Sequence, residues 1–111
     1  MRGRTHHWAD LALGFALTFV TVSMAAGQSP AAQRGFVFVR THCAQCHALD
    51  RVSPSPLSIA PPFRDLHKSY PVENLAEAFA EGISTGHPTM PEFRLDPAHI
   101  NDVIAFLKSL E

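Results

Sequence analysis

The sequence predicts an all-α domain with long loops. Two segments, Val72 to Glu81 and Asp96 to Leu110, repeat apolar residues at helical spacing, and each carries an end signal. No long run alternates apolar and polar residues as a strand would. Most of the nine prolines gather with serine and glycine between the helical segments. A length of 111 residues allows one domain. With 17% charged and 46% hydrophobic residues, the chain is not a disordered charged tail. A formal charge of −1 excludes the concentrated basic face of a nucleic-acid binder.

The chain opens with Arg2 and Arg4, followed by the uncharged run Leu11 to Val22 and the small residues Ser23, Ala25, Ala26 and Gly27. A positive start, an apolar stretch and a small-residue cleavage site describe an export signal. Residues 1–27 are therefore expected to be a signal peptide, cut after Ala25 or Gly27. The alternative is a membrane anchor, but the uncharged run Leu11 to Ala26 has 16 residues, whereas a spanning helix needs about 20. The remainder, residues 28–111, holds seven Lys and Arg against nine Asp and Glu, a formal charge near −2. A domain this small has a modest core and is a candidate for a stabilising staple.

Ala32 to Thr41 fits a helix, with Ala32, Phe36 and Val39 on one face and Gly35 allowing close approach. Phe36-Val37-Phe38-Val39 also suits a strand, and periodicity alone leaves both open. Ala48 to Pro62 reads as loop, because proline lacks a donor and restricts the residue before it. Phe63 to Tyr70 reads as a short helix stopped by Pro71. Val72, Leu75, Ala76 and Phe79 stripe the next helix, which Gly82 ends. Gly82 to Leu95 is loop again. Asp96 as N-cap and Pro97 at the first helical position start the last helix. Its stripe is Ile100, Val103, Ile104, Leu107 and Leu110.

The chain has two cysteines, in Cys43-Ala44-Gln45-Cys46-His47. Cys-x-x-Cys-His is the attachment signature of haem c. Each thiol adds to one vinyl group of a flat ring, and the adjacent histidine is then placed to bind iron. Three alternatives compete. A thioredoxin-like pair would need a βαβ context. A disulfide gives the histidine no role. A zinc site needs further ligands. Beyond the export segment the sole methionine is Met90, in Thr89-Met90-Pro91-Glu92-Phe93, where flanking prolines would hold a thioether in place. It is the candidate sixth ligand. The alternatives are core filler, His87 in its place, or an open site. His42, His67 and His99 are read as solvated or packed, with His42 near the cofactor but poorly aimed. Candidate cofactor walls are Phe36, Phe63, Leu66, Leu75, Phe79, Phe93, Ile104 and Leu107.

From Gln33 to Leu110 the sequence resembles small bacterial class I cytochromes c. Gly35 stands eight residues before Cys43, where that family has a glycine. The family's aromatic four residues before the cysteine is Val39 here, beside Phe38. Ile104-Ala105-Phe106-Leu107-Lys108-Ser109-Leu110 is similar to the family's C-terminal helix pattern, and Met90-Pro91-Glu92-Phe93 to its methionine loop.

The resemblance implies a fold in which N- and C-terminal helices pack together while loops and short helices enclose one covalently bound haem. It implies thioether links at Cys43 and Cys46, axial ligands His47 and Met90, and a Pro61 carbonyl on the histidine's other nitrogen. With both axial positions filled, the expected function is one-electron transfer rather than enzyme catalysis. The expected protein is a periplasmic monomer meeting a donor and an acceptor transiently, away from nucleic acid. It would touch a membrane only if the export segment were retained. The alternatives are a subunit of a larger oxidase or dehydrogenase complex, or a haem enzyme or sensor with a labile sixth ligand.

Overall fold

The computed structural model describes residue 20, residues 27–84 and residues 89–111. The expected signal peptide, apart from Val20 and Gly27, and His87 lie outside the described residues. Among the described residues three α-helices carry the fold: α1 (Pro30–His42), α2 (Leu75–Glu81) and α3 (Pro97–Lys108). Phe63–Lys68 and Val72–Asn74 are 3₁₀ turns.

The strand alternative for residues 36–39 loses to a helix. Ser29 Oγ accepts the Ala32 N–H at 3.1 Å, and Pro30 occupies the first helical position. Ala32, Gly35 and Val39 form its buried face. Burying that face against α3 outweighs the weak β preference of the Phe-Val run. Asp96 caps α3 as expected, with its Oδ1 accepting the His99 N–H at 2.9 Å.

The two helices cross at Gly35. A Cβ placed there would lie 1.9 Å from the Asp102 carbonyl oxygen and 2.9 Å from Phe106 Cβ. Only hydrogen at this position lets the backbones meet. The next residue, Phe36, packs on Phe106, ring centroids 5.5 Å apart. Arg34 grips Asp102 with two parallel hydrogen bonds of 2.9 and 2.8 Å across the same junction. The core is Val39, Val72, Val103, Phe106, Leu107 and Leu110. Phe106, which the apolar stripe leaves out, is 1% exposed, whereas Ile104 is half-buried.

The predicted helix over Val72 to Glu81 divides into a 3₁₀ turn and α2. Gly82 ends it at φ +110°, in the region that favours glycine. The chain then returns beside α2. Ile83 N–H donates to the Phe93 carbonyl and Leu95 N–H to the Phe79 carbonyl, both at 2.9 Å. Arg94 donates to the Glu81 carbonyl at 3.1 Å. These bonds close the base of the loop that carries Met90.

Candidate functional site

The Cys-x-x-Cys-His motif sits where α1 runs out. Cys43 caps the helix with its N–H on the Val39 carbonyl. One further turn follows: the Cys46 and His47 N–H groups both donate to the Cys43 carbonyl, at 3.2 and 3.0 Å. That i to i+3 and i+4 pairing brings both cysteines and the histidine to one side of the turn.

His47 is oriented by a distant backbone group. Its Nδ1–H donates to the Pro61 carbonyl at 2.8 Å. A carbonyl only accepts, so the proton belongs on Nδ1 and Nε2 keeps its lone pair. The ring also packs on Phe63, centroids 4.8 Å apart. The loop delivering Pro61 is tied to the motif at several points. Leu57 N–H donates to the Cys46 carbonyl at 3.1 Å, and Phe63 N–H to the Ala48 carbonyl at 3.0 Å. Ser55 Oγ accepts the Ala48 N–H at 3.1 Å.

Cys43, Cys46, His47, Pro61 and Met90 all line one cavity of about 630 Å³, within the roughly 300–1,000 Å³ of pockets that hold small ligands and cofactors. The other walls are mostly apolar. Phe63, Leu66, Leu75, Phe79, Phe93 and Leu107 line it as expected; Phe36 and Ile104 are absent from the lining. Phe36 is instead spent on the α1–α3 contact. Phe38, Leu57, Ile59, Tyr70, Ile83 and Leu95 are walls that periodicity did not single out. Phe38 flanks Val39 on a helix whose apolar residues cover more than one face. Leu57, Ile59 and Ile83 lie in irregular segments, where no period exists to read.

Burial pushes the Cys43 thiol up to about 11, and the neighbouring Cys46 adds to the rise. Reactive dithiols carry a lowered thiol pKa, and burial moves Cys43 the other way. Among the described residues no group of three or more His, Cys, Asp or Glu could hold a metal ion, which leaves the zinc alternative without ligands there. His42 lines the cavity with its ring 4.4 Å from Phe38, whereas His99 Nδ1 is engaged with Asp96 at 2.8 Å.

The donor set fits a haem held through both thiols: two cysteines, one imidazole with a bare Nε2, one thioether and an apolar chamber. The family model described as Cytochrome c matches residues 32–111. No curated protein and no solved structure matches the chain.

Proposed function

We propose that this chain, which belongs to the cytochrome c family of haem-binding electron carriers, holds one haem c on Cys43 and Cys46 and moves single electrons between protein partners in the periplasm. His47 and Met90 would hold its iron from the two sides. The observation that carries the reading is the convergence of Cys43, Cys46, His47 and Met90 on one apolar cavity, from segments more than 40 residues apart.

When bound, haem c supplies a one-electron iron couple. The protein residues decide how that couple is held. Pro61 holds the His47 proton on Nδ1, which fixes the ring's orientation and strengthens Nε2 as a donor. Met90 presents a soft sulfur, which favours the reduced metal and raises the potential relative to a second histidine. The aromatic and aliphatic walls exclude water and disfavour the extra charge of the oxidised centre. With both His47 and Met90 on the iron, no position would remain for a substrate. Residues 1–27 serve as the export leader, supported by the apolar run Leu11 to Val22 and the small residues after it.

The rim of the cavity suggests how partners meet it. The lining residues that are also exposed include His42, Gln45, Ile59, Pro61, Thr89 and Pro91, and among the described residues no Lys, Arg, Asp or Glu lines the cavity. The Lys and Arg side chains among the described residues are engaged elsewhere. Arg34, Lys68 and Lys108 pair with Asp102, Asp65 and Glu73. Arg51, Arg64 and Arg94 donate to carbonyls, and Arg40 lies over the Phe36 ring. Docking is therefore apolar and transient, with weak dependence on salt.

Met90→Ala tests the reading. The sulfur-to-iron band at the red edge of the oxidised spectrum disappears and the potential falls. Survival of the band overturns the assignment of Met90.

A further inference from the structure

The loop from Ala48 to Pro62 must hold the Pro61 carbonyl on His47, and it does so with hydrogen bonds at a few points rather than with packing along its length. Pro54, Pro56, Pro61 and Pro62 have no N–H to donate, and Val52 and Ile59 are 85% and 62% exposed. Packing therefore contributes little along much of its length. One side chain crosses its base. Arg64, two residues beyond the prolines, donates from Nη1 to the Ser53 carbonyl at 2.7 Å and to the Asp50 carbonyl at 3.2 Å. Those carbonyls belong to a tight turn, in which Asp50 Oδ1 accepts the Val52 and Ser53 N–H groups at 2.8 and 2.6 Å. Arg64 thus ties the beginning of the loop to its end, beside the Phe63–Ala48 backbone bond.

We infer that Arg64 is a positioning residue for the His47 imidazole: by bracing the 48–62 loop it keeps the Pro61 carbonyl on Nδ1–H and so sets the donor strength of Nε2. The inference rests on the reading of His47 as an axial ligand. Its sign separates it from plain electrostatics. Removing a cation near the site favours the oxidised, more positive iron and lowers the potential. Loosening the bond to Pro61 weakens the imidazole as a donor, disfavours the oxidised iron and raises the potential.

The experiment compares Arg64→Met, Arg64→Lys and Arg34→Met in the holoprotein by midpoint potential, exchange of the His47 Nδ1–H proton by NMR, and urea midpoint. Arg34 pairs with Asp102 across the α1–α3 junction, outside the 48–62 loop, so its loss reports the removal of a structural cation that does not brace the loop. Arg64→Met is expected to raise the potential and to exchange Nδ1–H about tenfold faster, the order by which losing an outer-shell partner weakens a metal site. Arg64→Lys restores part of both, while Arg34→Met lowers the urea midpoint and moves neither. A fall in potential for Arg64→Met, or a change no larger than that of Arg34→Met, overturns the inference. The hyperfine shifts of the His47 ring in the oxidised wild type test the underlying ligand reading separately.

Discussion

The α1–α3 sandwich and the pair of loops around the cavity are held by different physics. In the sandwich, Val39, Val103 and Phe106 are at most 2% exposed and the backbones meet at Gly35 without room for a methyl group. Each such side chain contributes roughly 1.5–3 kcal/mol through burial. Around the cavity, Phe63, Leu66, Leu75, Phe79 and Phe93 remain half-buried, and the loops are positioned by hydrogen bonds to serine, arginine and backbone groups. The sandwich completes its own core. The loops leave theirs open to the cavity, so under the proposed reading the haem would cover the half-buried rings and couple cofactor to fold in this half of the molecule more than in the other.

The largest break in that comparison comes from removing both attachment points. Cys43→Ala combined with Cys46→Ala is expected to abolish covalent haem and most of the cooperative thermal transition, because a domain of this size leans on its staple. A transition equal to that of the wild type would show that the loops stand on protein packing alone. Next come changes within the sandwich. Phe106→Ala is expected to cost about 3–5 kcal/mol in urea denaturation. Gly35→Ala is expected to cost about 3 kcal/mol, the upper end of overpacking, since the added methyl meets the Asp102 carbonyl rather than a movable side chain. Both variants should keep the axial-ligand spectrum, which distinguishes the two regions.

The smallest effect is a pH dependence seated in the 48–62 loop. Hydrogen bonds from the Ser53 hydroxyl, and then from the Ser53 and Val52 N–H groups, lower the Asp50 carboxyl to about 2 from its ordinary 3.8. A carboxylate depressed by folding contributes stability above its unfolded value and loses it as pH falls through the folded one. Wild type should therefore lose stability between about pH 4 and pH 2. Asp50→Asn should flatten part of that slope in acid titrations followed by circular dichroism.

Much of this was legible in the sequence because short-range rules governed it. Asp96-Pro97 announced α3, Gly82 announced the end of α2, and the spacing of Cys43, Cys46 and His47 announced a turn that gathers all three at one cavity. The rest depended on contacts distant in sequence. Phe106 falls off the simple apolar stripe yet is central to the core, because the close approach of α1 and α3 at Gly35 brings α1 against it. Phe36, expected at the cofactor, packs on Phe106 for the same reason. Arg64 gave no sequence signal, since its partners are carbonyls, which every residue has. The Pro61 carbonyl was expected only through family resemblance, and the 2.8 Å bond to His47 supplies its physical basis.

The most direct test of the central claim is acid–acetone extraction of the purified holoprotein, followed by the intact mass of the polypeptide. Two thioether bonds at Cys43 and Cys46 predict that the colour stays with the precipitated protein and that the mass rises by one haem. Colour passing into the organic phase, with a polypeptide of unmodified mass, would contradict the account.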